Sequence, residues 1–354
     1  MLIDGLCLKE YKARIEWIDI AKGISILVIL YAHVFDTGLI TGFVHLFHVP
    51  VFFVLSGLVW KKAQRSKDFL LDLLKGLIIP YFIAGITSIV IYLLLGSFFS
   101  KNSMSISDCI LGLFYANSRT GLMKWCRPLW FLPCLFMVKI IWELIANIKN
   151  KVIQYILVFV VWFVAVGTLY TYIKEWKLPW ELEVALHALP YYCMGVMIQR
   201  HLTLTNFAIR RRWILLPVSL LLFLLCILVF NLNYTKLSFQ YNRYGNYIFF
   251  VLGAIAGTAM VFTLSMMISR WKLLEIAGQN TLIILLWHKY PILLFQLTGL
   301  GKKCCNNPDS FLSILIGLVV VIISTTTSLI VGFVFSRIRN RIHLSGKSQA
   351  IRQH

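Results

Sequence analysis

The chain alternates long apolar runs with short polar ones. Runs long enough to cross about 30 Å of hydrocarbon cover residues 18–35, 43–60, 76–96, 128–146, 152–172, 184–199, 213–231, 247–268, 279–298 and 311–335. This pattern predicts an all-α fold, a polytopic transmembrane bundle of about ten helices. The run at 184–199 is short and holds His187 and Pro190; packing against other helices would satisfy the backbone group that the proline frees. Of the polar segments, 97–127 is the longest. It contains ISDCILGLFYA, which predicts an interfacial helix, followed by the polar ANSRTGLMKWCR. No internal repeat is visible, so the inverted symmetry of many secondary transporters is not evident.

Composition agrees with this reading. Of 354 residues, 59% are hydrophobic and 14% charged, and the mean hydropathy is +0.81, far from the soluble average. The first apolar run follows a charged stretch (Lys9, Glu10, Lys12, Arg14, Glu16) with no small-residue cleavage site, so the first helix is expected to stay in the mature protein. A formal charge of +20 on a soluble protein would suggest nucleic acid, but here the basic residues gather between apolar runs. With the N-terminus inside, 21 Lys and Arg fall on inner segments, ten on outer ones and three (Lys22, Lys139, Lys289) within runs. That bias predicts both termini in the cytoplasm. The eight cysteines are scattered without zinc-site spacing, and the adjacent Cys304 and Cys305 read as incidental; no metal site is expected.

Polar groups inside the apolar runs carry the candidate chemistry, because a charge at the bilayer centre costs roughly 3 kcal/mol or more. Lys22 and His33 stand eleven positions apart in the first run. At roughly 100° per residue that leaves them about 20° apart on one helix face, some three turns and about 16 Å along the axis. Asp19, three residues before Lys22, is placed for an ion pair with it. The second run, HLFHVPVFFVLSG, opens with His45 and His48 and ends with Phe53, Ser56 and Gly57. A serine–glycine pair suits close helix packing, and Phe52 and Phe53 read as lipid-facing or core aromatics. Asp36 reads as a solvated loop carboxylate.

Taken together, RIEWIDIAKGISILVILYAHV and FHVPVFFVLSGLVW strongly resemble the acyltransferase 3 family of integral membrane enzymes, the group that O-acetylates bacterial surface polysaccharides. Lys22 and His33 match its basic residue, ten residues, histidine signature, and Phe53, Ser56 and Gly57 its F-x-x-S-G pattern. RPLWFLPCLF (Arg127 to Phe136) and GQNTLIILLWH (Gly278 to His288) are similar to further family segments. Ala32, Val49 and Trp287 depart from the usual residues without removing a reactive group. The layout looks closest to the fucose 4-O-acetylase-like branch, without a fused esterase-like domain, with an acyltransferase unit over 1–340 and a short basic cytoplasmic tail over 341–354.

The resemblance implies an O-acetyltransferase of the bacterial inner membrane. It would use acetyl-CoA as co-substrate, with no permanently bound cofactor, and a lipid-linked or polymeric glycan such as O-antigen, capsule or exopolysaccharide as acceptor. Its other partner would be membrane lipid, with no nucleic acid. His33 would be the catalytic base or an acyl carrier. Lys22 and Arg14, with Lys61 and Lys62 nearby, would meet the anionic donor at the inner mouth. His288, Asn280 and the Arg127–Trp130 segment would line an outer cavity. The rival reading is a transporter or exporter in which Lys22, His33 and His288 form a charge relay.

Overall fold

A computed structural model describes residues 15–62, 65–99, 104–169, 176–200, 212–268 and 270–351. All ten apolar runs are helical at least in part, and the described residues contain no strand, only an isolated bridge between Ser238 and Arg243. α1 (Glu16–Val34), α2 (Leu39–Val44), α3 (His48–Leu58) and α4 (Ser66–Leu73) are followed by a π turn (Leu74–Ile78) into α5 (Ile79–Phe99). Next come α6 (Ile106–Tyr115), α7 (Phe131–Ala146), α8 (Lys151–Val164), α9 (Leu182–Arg200), α10 (Arg212–Leu232) and α11 (Tyr247–Ile268). The chain closes with α12 (Lys272–Gln279), α13 (Thr281–Trp287), α14 (Lys289–Leu297), α15 (Gly299–Asn306) and α16 (Phe311–Ile351), the last running on through the expected tail boundary at 340.

By length and apolarity, seven described helices can cross a membrane, eight if the bent pair Thr281–Leu297 and Gly299–Asn306, kinked by 93°, counts as one span. The three remaining runs show why ten apolar runs do not give ten uniform helices. The run at 279–298 yields Thr281–Leu297, which bends only at its end into Gly299–Asn306, and Lys151–Gly167 is short. α9 is polar because protein surrounds it: it packs on α3 and α7, and of its buried polar residues Glu183 meets Asn117 and Arg119, His187 Tyr247, Tyr191 Phe239 and Tyr192 Trp142. A helix largely enclosed by protein needs no lipid-like sequence.

α1 sits at the centre, with 72% of its apolar window buried, and packs on α3, α11, α12 and α16. By contrast, α10 and the apolar part of α16 bury only 28% of theirs. Their exposed Leu220, Leu221, Leu224, Leu318, Ile322 and Phe333 form the kind of continuous apolar surface that hydrocarbon solvates.

Two crossings depend on glycine. A Cβ on Gly57 would overlap the Tyr192 carbonyl, and one on Gly195 the Val54 carbonyl, so α3 and α9 touch backbone to backbone. Gly23 and Gly278 do the same where α1 meets α12, against Leu274 and Asp19. Small residues at such contacts allow the dense packing that holds helices together in lipid. These two crossings fix the α1 and α3 faces that carry Lys22, His33, His48 and Ser56.

The expected interfacial helix is α6. Ser105 Oγ caps it by accepting from Asp108 N at 3.1 Å, with Cys109, Gly112 and Leu113 inward and Ile106, Ile110 and Phe114 exposed. The chain after it is pinned to the start of α9. Ser118 N and Oγ donate to Glu181 Oε1 at 2.7 and 2.6 Å, and Asn117 Nδ2 donates to Glu183 Oε1 at 2.8 Å. Arg119 pairs with Glu183 at 3.6 Å.

Candidate active site

Two cavities approach each other inside the bundle. The inner one, about 290 Å³, runs from Lys22, Val59, Gly76 and Leu77 past Ile26, Ile29, Phe52 and Ser56 to His33, His45 and His48. Gly76 and Leu77 belong to the π turn, a helix irregularity frequent at functional sites. The outer one, about 1170 Å³, opens among the loops and is lined by Asp36, Arg127, Lys236, His288 and Lys289. His33, His45, Pro128, Ser238 and Gln240 line both. The polar face inferred from spacing therefore follows a passage, with Lys22 on the inner cavity and His33 where the two meet.

Four histidines gather at that meeting point. The rings of His33 and His288 lie 5.2 Å apart, and those of His45 and His48 4.7 Å apart. Nδ1 of His45 lies 2.6 Å from Thr41 O, Nδ1 of His48 3.0 Å from Val44 O, and Nδ1 of His288 2.9 Å from Leu285 O. A carbonyl can only accept, so Nδ1 carries the hydrogen in all three and the neutral ring keeps its lone pair on Nε2. His288 is fully buried, and its Nε2 has no partner among the described residues. His33 is only half-buried, so the cavities reach it.

At the inner end Lys22 pairs with Asp19 at 4.0 Å, its side chain 25% exposed. Asp19 Oδ2 also accepts from Gln279 Nε2 at 3.2 Å, which ties this ion pair to the α1–α12 crossing. Lys139 on α7 stands close enough for its charge to interact with that of Lys22.

The remaining sequence-derived residues divide. His48 and Ser56 line the inner cavity, and Arg127 and His288 the outer one. Trp130, expected beside Arg127, lines the inner cavity instead: the 3₁₀ turn Arg127–Trp130 straddles the junction at Pro128. Phe53 is fully buried, with the rings of Phe131 and Phe239 tilted against it at 5.1 and 5.9 Å, while Gly57 lies at the α3–α9 crossing. Asn280 joins α12 to α13, donates Nδ2 to Ile276 O at 2.8 Å, and is not on the lining of either cavity. Lys61 and Lys62 are exposed and line neither cavity. Arg14 lies outside the described residues.

Sequence reasoning missed the hairpin between α10 and α11. Asn233 closes it, donating Nδ2 to Tyr244 O at 2.9 Å and accepting from Asn246 N at 2.7 Å. Ser238 and Arg243 exchange backbone hydrogen bonds at 2.8 and 2.9 Å. Phe239 anchors it in the core against Phe53, Tyr244 and Phe250. The next residue, Gln240, lines both cavities, and its Nε2 is buried with no partner among the described residues. The only signal in the sequence was the polar–aromatic run NLNYTKLSFQYNRYGNY between two apolar helices.

Comparison with known proteins bears on what this geometry serves. No curated protein and no solved structure matches the chain. A family model described as an acyltransferase domain, that of the acyltransferase 3 family, matches residues 15–337, a stretch that takes in every described residue of the histidine cluster, both glycine crossings and the hairpin. The chain belongs to the acyltransferase 3 family and is a multi-pass membrane acyltransferase.

Proposed function

We propose that the protein transfers an acetyl group from cytoplasmic acetyl-CoA to a sugar hydroxyl of a surface or lipid-linked polysaccharide at the outer face of the bacterial inner membrane. The observation that carries this reading is the pair of cavities meeting at His33, one for each substrate. Lys22 is the cation for the donor's phosphates at the inner mouth. The inner cavity's apolar walls, Ile26, Ile29 and Phe52, suit the pantetheine arm, and the rise of about 16 Å from Lys22 to His33 is within its extended reach.

At the junction the acceptor hydroxyl attacks the thioester carbonyl while His33 takes its proton. The new C–O bond forms, the C–S bond breaks, and the proton on His33 passes to the departing CoA sulfur. His288, its ring 5.2 Å from that of His33 and its hydrogen on Nδ1, keeps a lone pair on Nε2 and stabilises the charge that His33 acquires. The Gln240 amide, fixed by Phe239 and with no partner for Nε2 among the described residues, is a donor for the oxyanion of the tetrahedral intermediate. The relay of a transporter would not require a thioester, and membership of an acyltransferase family favours group transfer over it.

The test uses membrane vesicles containing the full chain, acetyl-CoA labelled in the acetyl group, and glycan acceptor from the producing cell. His33→Ala should abolish label transfer while membrane insertion and expression stay intact. Substantial residual transfer by that variant would sink the assignment of His33.

A further inference from the structure

The positive-inside bias leaves few cations on the outer side, yet four of those ten, Lys124, Arg127, Lys236 and Arg243, line the outer cavity, joined by Lys289 from within a run. They come from three separate parts of the chain: the segment before α7, the α10–α11 hairpin and the start of α14. Against them the lining offers one carboxylate, Asp36, and among the described residues none of these cations forms an ion pair. Lys289 Nζ donates to the Trp125 carbonyl at 2.7 Å, which orients the ammonium and leaves its charge uncompensated. Arg127 adds a like charge that acts on Lys289. Convergent unpaired cations around a concave site focus a positive potential into it.

The same cavity presents aromatic faces, Tyr92, Trp125, Tyr234 and Tyr241, with the Arg243 guanidinium 5.8 Å from the Tyr241 ring centroid. Its volume of about 1170 Å³ exceeds the roughly 300–1,000 Å³ of most small-molecule sites, so it has room for several sugar units.

We propose that the acceptor is an anionic glycan, one whose carboxylate or phosphate is held by Lys236, Arg243 and Lys289 while the hydroxyl to be acylated reaches His33. This rests on the acyl-transfer reading for the role of His33, whereas the anion site itself rests on the charges alone. The negative group has two possible sources, a uronic acid within the glycan or the diphosphate of a lipid carrier. Both offer oxygens that Arg and Lys bind by charge-assisted hydrogen bonds.

The experiment measures binding to the full chain in zwitterionic nanodiscs, without acetyl-CoA, so that it does not depend on catalysis. The probes are a glucuronate-containing tetrasaccharide, its carboxyl-reduced neutral counterpart, and a neutral disaccharide on a short prenyl diphosphate. At least one anionic probe should bind about tenfold tighter than the neutral one, and the advantage should shrink with added salt. Which anionic probe wins identifies the source of the charge. The double variant Lys236→Gln/Arg243→Gln should lose the advantage, while Lys302→Gln/Lys303→Gln, which removes the same charge from exposed positions of α15 off the cavity, should keep it. Equal binding of all three probes, or equal losses in both double variants, overturns the proposal. So does displacement of the anionic probe by free CoA in Lys22→Ala, because the cations would then serve the donor. Acetyl-CoA-dependent label transfer, measured separately on the same preparations, tells failure of the acyl-transfer reading from failure of this one.

Discussion

Replacing Glu181 with glutamine should remove most of a pH dependence from the loop at 117–125. Glu181 is fully buried; its Oε1 accepts from Ser118 N and Oγ, and its Oε2 has no partner among the described residues. Burial, reinforced by the neighbouring Glu183 and only partly opposed by the Ser118 hydrogen bonds and Arg119, raises its carboxyl from the ordinary 4.5 to about 8. The folded state therefore keeps a proton that the opened state releases. Stability from this group is full below about 4.5, declines as pH rises, and is lost once the folded carboxyl ionises near 8. At about 1.4 kcal/mol per tenfold change in proton affinity, the full effect approaches roughly 5 kcal/mol. An opening of the loop that hydrates Glu181 should thus become easier by up to about a thousandfold between pH 5 and 8.5. Hydrogen–deuterium exchange of a peptide spanning 117–125, corrected for the intrinsic pH dependence of exchange, reads this directly. Wild-type protection should fall across that range, and Glu181→Gln, which keeps the contact with Ser118 and carries no charge, should fall much less, the remainder coming from Glu183, whose carboxyl burial also raises. Parallel profiles would refute the reasoning.

Other outcomes follow from packing and from the proposed chemistry. Gly57→Ala and Gly195→Ala should each cost about 1–3 kcal/mol by forcing α3 and α9 apart, and the double variant should cost less than their sum because both relieve one crossing; thermal unfolding in detergent measures this. Lys22→Ala should raise KM for acetyl-CoA, and Lys22→Arg should largely preserve it, because an anion site requires the charge; equal losses in both would mean a stricter role. Gln240→Ala should lower kcat about 10²- to 10³-fold, the cost of losing one oxyanion donor, with KM for acetyl-CoA unchanged in steady-state assays.

The helical membrane fold was legible because hydrocarbon imposes a simple rule on the residues facing it, and α10 and the apolar part of α16 obey it. α9 shows where that rule stops. With Glu183, His187 and Tyr192 buried in protein, its sequence answers to its neighbours, so run length and hydropathy say little about it. The bend after α14 differs in kind: the 93° turn falls between Leu297 and Gly299, where the apolar run gives way to the polar GLGKKCCNN.

For the site, what one helix determines alone could be read in advance. Lys22 and His33 share a face by the geometry of α1, and both lie on the passage. What several segments determine together could not. Asn280 carries a family resemblance, yet its amide satisfies its own helix at Ile276. Gln240 carries none, and reaches the junction because Phe239 beside it is locked under Phe53. Phe53 thereby acquires a second meaning. Its F-x-x-S-G segment combines an aromatic that holds the hairpin, a serine on the inner cavity and a glycine that lets α9 approach. One short motif on α3 thus places a wall of the inner cavity and the amide at the junction of the two, so its spacing is fixed by packing on both sides of α3.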